Sequence, residues 1–382
     1  MKHTYYEFFA GGGMVHAGLG IDWNCLFAND ISPIKGASYA ENWGMDAMTL
    51  QDINTVNPKQ LEGVADLAWA SFPCQDLSLA GNGAGLEGIR SGAFWPFIRL
   101  MNELKGEKRQ PKLIALENVC GALTSRGGMD FVAMVEALAK LKYRMGAMVI
   151  DAAYFLPQSR PRLFLLAIDS SLKIPINCRS NLPVNPWATE GLMKAYSLLE
   201  KEVQTNWVWW QLPLPPVQQT RLAELIEDYP TGVEWHTEVQ TRQLMDMMSP
   251  LNLQKVQHIQ KQKIKMVGTI YRRTRNGQQK AEVRFDGLAG CLRTPGGGSS
   301  RQTIIVVHGD QIRSRLLSSR EAARLMGLPE NYKLPERYND AYHLAGDGDG
   351  VAVPVVAHLK HHLFNPILNA NLVCANQELV SQ

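Results

Sequence analysis

Cysteine is scarce in this chain, and what there is lies scattered. Six cysteines (Cys25, Cys74, Cys120, Cys178, Cys291 and Cys374) occur in 382 residues, and no two stand in a CxxC pair. That pattern excludes a disulfide scaffold and a close-spaced zinc or redox site, and it fits reduced thiols in a cytosol. Long apolar runs are missing too. None approaches the ~20 residues of a membrane span. The opening stretch, MKHTYYEFF, has no signal-peptide core. The expectation is a cytoplasmic protein with no membrane partner. There is no internal repeat and no low-complexity tract. The glycine-rich GxGxxG spacing of a dinucleotide site is also absent, which disfavours a nicotinamide dehydrogenase.

Net charge is low, at +3, but it is unevenly spread. Residues 1–120 carry 9 Lys/Arg against 13 Asp/Glu, whereas residues 255–315 carry 13 against 3. One region is suited to chemistry and another to a polyanion. The length suggests two domains, or one with an insertion.

A reactive residue is presented at Ala70–Gly81, ASFPCQDLSLAG. An apolar run ends, Pro73 stiffens the turn, and Cys74 follows. Glycines at 81, 83, 85, 88 and 92 come next. A thiol is a strong nucleophile when its pKa is lowered, and a buried structural cysteine is the competing reading.

Other strand ends carry telling residues. Thr4–Ala10 reads as a strand running into Gly11-Gly12-Gly13 and a helix from Met14 to Gly20. That arrangement lets backbone approach a ligand. Cys25–Asn29 reads as a second strand with Asp30 at its end, placed for ribose hydroxyls, while Ser32-Pro33 opens a helix. Asp66–Ser71 leads to Cys74, and Leu113–Leu116 leads to Glu117. Arg144–Ala152 and Arg162–Asp169 read as further strands. In an open parallel α/β sheet, ligands bind at the carboxyl ends of strands. Gly11, Asp30, Cys74 and Glu117 at four such ends argue for a site.

After Asp169 the texture changes. Pro175, Pro183 and Pro186 mark a linker. A Trp cluster (Trp207, Trp209, Trp210) and a proline run follow. Lys261, Lys263 and Lys265 alternate, as on one face of a strand. Arg272, Arg273, Arg275 and Lys280 surround the turn signal Asn276-Gly277. Basic side chains among Gln, Asn and Thr suit phosphate contacts with base-edge reading. Thr294–Ser300 reads as a joint, and Ser318–Leu328 as a helix with a capping box through Glu321. A last apolar helix follows Asp347-Gly348-Asp349-Gly350, with Pro354 in its first turn.

These stretches resemble the DNA cytosine-5 methyltransferases of prokaryotic restriction-modification systems. FAGGG, SFPCQDLS, RSGAFWPF, Glu117-Asn118-Val119, QSRPR (Gln158–Arg162), SREAARLMGLP and GDGVAVPVV match the family's motifs in family order. Glu7 stands where the family usually has Asp, and Asp349 where it usually has Asn. The resemblance implies an α/β, Rossmann-like sheet that uses S-adenosylmethionine, with a smaller basic target-recognition domain. The catalytic and cofactor domain would take 1–176 plus 318–382, and the recognition domain 177–317.

It also implies a mechanism. A Cys74 thiolate would add to C6 of a cytosine flipped out of double-stranded DNA. Glu117 would bond N3 and the exocyclic amine, Arg162 would hold O2, and Arg160 would help order the site. C5 would then take the methyl group, leaving S-adenosylhomocysteine, with no metal needed. No residue is assigned to the final removal of the C5 proton. Phe9 would stack on the adenine. Ala10, Gly11, Gly12 and Gly13 would face the methionine part. Asp30 would take the ribose, Ile31 the base, and Asp52 the adenine amine. Ile53, Pro73, Asp349 and Val351 are placed with them. Gln75, Ser78, Lys261, Lys263, Lys265, Arg272, Arg273 and Arg275 would meet DNA. The protein would be a monomer, and the resemblance allows a separate cognate restriction endonuclease. Two other readings are an RNA-acting enzyme and a catalytically silent DNA-binding regulator. The RNA branch typically has a Cys-Phe-Thr tripeptide that is absent here, and a silent regulator predicts loss of Cys74, Glu117 or Arg162.

Overall fold

The structure, a computed structural model, describes residues 2–73, 86, 91–218, 220–275, 277–293, 301–346 and 350–380. Cys74, Gln75, Ser78, Asp349 and the joint Thr294–Ser300 lie outside the described residues, as does most of the glycine-studded segment after Cys74.

The chain opens with β1 (His3–Phe8), α1 (Met14–Leu19), β2 (Trp23–Asp30), α2 (Pro33–Trp43), β3 (Met48–Leu50) and β4 (Leu67–Ala70). It continues with α3 (Phe94–Gly106), β5 (Leu113–Val119), α4 (Met129–Lys140), β6 (Tyr143–Asp151) and β7 (Pro161–Asp169). These strands make one seven-stranded sheet in the order β3-β2-β1-β4-β5-β7-β6. β4 (LAWA) is buried throughout, as expected of a central strand covered on both faces. On one face Phe8, Phe97, Leu100, Phe131, Leu138 and their neighbours form the main core. On the other, Trp69 meets Phe164 and Phe364 edge-on.

The expected α/β sheet is mixed rather than wholly parallel. β1 runs parallel to β2 and β4, and β4 to β5, but β7 lies antiparallel to β5. The reason is topological. No crossover helix separates β6 from β7, only a short excursion at Ala152–Arg160, so β7 cannot return in the parallel sense.

Past β7 come β8 (Arg179–Ser180), α5 (Glu190–Tyr196), α6 (Lys201–Thr205) and β9 (Trp209–Trp210), with β8 and β9 paired antiparallel. The expected linker is instead packed. Cys178 and Trp187 are buried, and the Trp187 indole donates to Leu212 O at 2.7 Å. Prolines broke the periodic pattern here without freeing the chain.

Next are α7 (Leu222–Leu225), α8 (Glu238–Asp246), α9 (Pro250–Gln262), β10 (Met266–Arg275), β11 (Gln278–Arg284), β12 (Thr303–His308) and β13 (Gln311–Leu316). The four strands form an antiparallel sheet, β11-β10-β12-β13, with one face on Leu244 of α8, Val256 and Ile259 of α9, and Met248 between the two helices. α10 (Ser319–Leu325) carries the expected capping box, with Ser318 and Glu321 bonding each other's backbone N–H. α11 (Tyr338–Gly346) follows. α12 (Val353–Leu359), with Pro354 in its first turn, leads through a π-helical turn (Lys360–Phe364) into α13 (Asn365–Val380).

Two compact units result. The first is Met1–Ile150, Pro161–Pro215 and Val351–Gln382; the second is Asp151–Arg160 and Pro216–Gly350. Residues 177–215 thus pack with the first unit and 318–350 with the second, whereas the motif-based division runs at 176/177 and 317/318.

Candidate active site

In the first unit, β1 delivers the chain into a tight turn. Phe9 (φ 58), Gly11 (φ 57) and Gly13 (φ 77) all have left-handed backbone. For Phe9 this conformation is strained, and such strain persists where the surroundings impose it. The turn is tied to β2: Ala10 N–H donates to Asn29 O, and Gly11 N–H to Asp30 Oδ2, each at 2.9 Å. Asp30 Oδ1 accepts from Ser32 N–H at 2.8 Å. Its carboxylate is therefore buried yet fixed by two backbone donors. A Cβ at Gly11 would meet nothing within 4 Å, so open space lies beside the turn. Ile31, 67% exposed, and the exposed Leu50 flank Asp30 in the chain and across β3. A fixed carboxylate, bare backbone and exposed aliphatic side chains suit a nucleoside with a polar tail. The residues fit S-adenosylmethionine.

Two residues that the motifs do not mark hold this turn from behind. The Trp43 indole N–H donates to Gly12 O at 3.0 Å and its ring stacks on His16, centroids 4.4 Å apart. A Cβ at Gly13 would come within 2.3 Å of Trp43 Nε1. His16 Nδ1 lies 2.8 Å from Tyr5 Oη, and burial pulls its pKa below the usual histidine value. Only a fold-level view brings Trp43, thirty-one residues away, to Gly12.

Glu7 is buried on β1 beside this cluster. Its carboxyl oxygens reach no hydrogen-bond partner among the described residues. Burial, then the charge of Asp30, push it well above the ordinary carboxylate range, and Val15 N–H opposes this without reaching hydrogen-bond geometry. Cys25, nearby, has its thiol pushed up to about 12, mainly by burial. Cys178 is likewise raised to about 11 by burial. Neither is a nucleophile.

Asp52 opens the turn Ile53–Thr55, and its Oδ1 accepts from Asn54 N–H at 2.9 Å. Its side chain is exposed. Ile53 is buried in the main core, and Val351 is buried as well.

A second cluster lies at the ends of β4, β5 and β7. Glu117 sits opposite Phe164, and Val119 opposite Arg162, so Glu117 and Arg162 are diagonal neighbours on one face. Arg162 Nε comes within 3.2 Å of Glu117 Oε1, and both side chains are almost wholly buried. Asn118 Nδ2 donates to Phe72 O at 3.2 Å, tying the end of β5 to the residue before Pro73. Cys74 follows in the chain.

In the second unit, Arg160 is buried. Its backbone N–H donates to Asp151 Oδ1 at 2.6 Å, and its guanidinium donates to Gly350 O and to Cys291 Sγ. Gln158, also buried, donates to Leu325 O at 2.6 Å. Thus Arg160 holds the chain next to Asp349 in place.

The basic residues of this unit lie differently from the expectation. Lys261 is in α9, Lys263 is its left-handed C-cap, and Lys265 precedes β10 and pairs with Asp228 at 2.8 Å. The alternation was accidental. Ser249 caps the helix, Pro250 starts it, and Val256 and Ile259 bury its inner face. Arg272, Arg273, Arg275 and Lys280 do flank a hairpin, with Arg273 opposite Lys280 and Gly277 at φ 73 in the turn. Arg273 lies 3.6 Å from Glu282, and both are substantially exposed. Among the described residues no helix is long and apolar enough to cross a membrane, and no cluster of His, Cys, Asp and Glu could hold a metal ion.

Known proteins match this chain along most of its length. It is 25% identical over 362 residues to the Type II methyltransferase M.HhaI of Haemophilus parahaemolyticus, covering 94% of this chain and 93% of that protein. It is 25% identical over 353 residues to M.NgoBI of Neisseria gonorrhoeae, covering 92% and 89%. Its fold is shared with the crystal structure of the S. pombe Dnmt2 methyltransferase, with a TM-score of 0.61 at 17% identity, covering 96% and 99%. The family model for C-5 cytosine-specific DNA methylases matches residues 3–365, and the chain belongs to that family.

Proposed function

We propose that this enzyme methylates C5 of a cytosine flipped out of a specific double-stranded DNA sequence, through a covalent bond between Cys74 and C6. The observation that carries the reading is the buried Glu117–Arg162 pair at the end of β5 and β7, beside the strand that leads to Cys74. A carboxyl and a guanidinium held on one face can together grip N3, the amine and O2 of a cytosine edge. S-adenosylmethionine supplies an electrophilic methyl group when bound, and Asp30, the Gly11 turn and Ile31 would hold it.

The chain's own groups then act in order. Cys74 sulfur bonds to C6, and the ring electrons move toward N3, where Glu117 donates a proton. C5 becomes nucleophilic and takes the methyl group. Loss of the C5 proton to a base, cleavage of the S–C6 bond and return of the N3 proton to Glu117 restore the ring and free Cys74. The exposed basic hairpin, with Lys261 and Lys263, is read as a phosphate- and base-contacting surface. The enzyme is read as a monomer, with any cognate restriction endonuclease acting separately.

The test is methylation with labelled cofactor and bisulfite mapping of the sites. Cys74→Ser should abolish transfer and adduct formation with 5-fluorocytosine duplexes while leaving DNA binding. Retained turnover would sink the covalent route, and methylation confined to RNA would move the substrate class.

A further inference from the structure

Glu7 sits on β1, between Ala28 of β2 and Trp69 of β4. Its side chain shares a face with that of Tyr5, whose hydroxyl reaches His16 of α1. Glu7 therefore points toward α1, and Val15 N–H in the first turn of that helix faces it. The side chain is 1% exposed, and neither carboxyl oxygen has a hydrogen-bond partner among the described residues. Leaving a buried polar group this way is costly, and leaving a buried carboxylate so costs more. Such a group calls for a partner that the chain itself does not supply.

The surroundings make that partner a cation. Asp30 and Cys25 of β2, Tyr39 of α2 and Tyr5 of β1 act on Glu7 through charge, and each is neutral or negative. His16 is the base of the cluster, but burial favours its neutral form, and its Nδ1 lies 2.8 Å from the Tyr5 hydroxyl and 3.4 Å from that of Tyr39. Lys360, beyond α12, donates to Leu19 O at the far end of α1. The β4 stretch Leu67–Ala70 carries no charge. Asp30, whose charge reaches Glu7, accepts from Gly11 N–H at 2.9 Å, and open space borders Gly11. A cation bound beside the Gly11 turn enters the field of both carboxyl groups. Backbone donors fix Asp30, whereas Glu7 can gain or lose a proton.

We infer that Glu7 makes this site discriminate by charge: it gives up its proton when the cationic donor S-adenosylmethionine binds, and keeps it when S-adenosylhomocysteine, whose sulfur is uncharged, is bound. The inference rests on the cofactor reading of the Gly11 turn. Methyl transfer breaks the S–CH3 bond and leaves its electron pair on sulfur, so the positive charge there disappears. Glu7 then takes back from solvent the proton it released on binding. The site's grip thus falls as its occupant becomes the product. A unit charge several ångströms away in a protein interior is worth about a tenfold change in a carboxyl's proton affinity. By linkage, the charged ligand gains a preference of about the same size.

The experiment titrates the intact protein with S-adenosylmethionine and with S-adenosylhomocysteine by calorimetry, in buffers of different ionisation enthalpy. It runs from about pH 6 to 8.5, and the amine that both ligands carry is common to the two series. The slope of heat against buffer ionisation enthalpy counts the protons released. At its maximum, S-adenosylmethionine should release about half a proton or more beyond S-adenosylhomocysteine, and the ratio of their affinities should grow as pH rises. In Glu7→Gln that difference should vanish, and the preference for the charged ligand should fall by about tenfold. The wild-type series needs no variant, so it decides the matter even if Glu7→Gln does not fold. Equal proton release by the two ligands would overturn the role of Glu7. So would a folded Glu7→Gln that keeps the wild-type difference. A wild type that binds neither ligand would instead overturn the cofactor reading beneath it.

Discussion

Each unit of the molecule contains a buried Arg–Glu pair, and the two pairs are built differently. In the second unit Arg315 and Glu321 are fully buried and joined through two nitrogens and two oxygens, at 2.8 and 2.7 Å. Further partners surround both residues. Glu321 also caps α10 through Ser318 N–H and accepts Glu227 N–H, while Arg315 donates to Glu227 O. In the first unit Glu117 of β5 and Arg162 of β7 meet through Arg162 Nε, at 3.2 Å. The first design holds two segments of chain together. The second joins two neighbouring strands of one sheet. Burial and charge alone do not distinguish the two pairs; the segments each one joins do, a strand to the helix after it in one case and two neighbouring strands in the other.

Breaking the structural pair should have the largest effect on stability. Arg315→Ala leaves Glu321 buried beside lost partners, and should cost about 3–5 kcal/mol of unfolding free energy. Denaturant titration measures this, and a double change to well-packed apolar residues should recover much of the loss. If Arg315→Ala were as stable as wild type, the contrast between the pairs would fail.

Glu7 sharpens the comparison from the side of pH. Its pKa in the folded protein lies above its unfolded value, so the native state keeps a proton that the unfolded chain gives up. Stability from this group is fully present below the ordinary carboxylate range and declines as pH rises toward the folded value. Glu7→Gln should flatten that decline in denaturation curves taken from mildly acidic to mildly alkaline pH. An unchanged slope would mean that Glu7 is ionised in the folded state.

Trp43→Phe keeps the ring stacked on His16 and deletes the hydrogen bond to Gly12 O. Cofactor affinity should weaken by about 0.5–1.5 kcal/mol, read by calorimetry, with DNA affinity unchanged. Equal losses in both would argue against a local role at the turn.

The smallest effect belongs to the basic residues. Neutralising Lys261 and Lys263 together should reduce the salt slope of DNA affinity by about 1 to 2. Lys265→Ala should do less, because Asp228 already pairs with it. A larger effect from Lys265 would relocate the DNA-facing surface.

Much of the site was legible because its signals are local. A strand followed by glycines, a strand followed by Asp30, and Pro-Cys-Gln after an apolar run all announce strand ends within a few residues. The capping box at Ser318 was legible for the same reason. Misreadings came where a local pattern had two explanations. Three alternating lysines fit a strand, but Ser249, Pro250 and the buried Val256 and Ile259 made that segment a helix. Prolines at 175, 183 and 186 fit a linker, but Trp187 buries its ring and anchors the segment.

The amino-acid order by itself determined which residue types stand at the strand ends, and therefore the family and its chemistry, because strand period, glycine turns and helix caps are properties of neighbouring residues. Tertiary structure decided which of those residues meet. The antiparallel entry of β7 sets Arg162 diagonally across from Glu117, and α2 brings Trp43 to Gly12. Those contacts depend on packing between segments far apart in the chain, which no local pattern encodes.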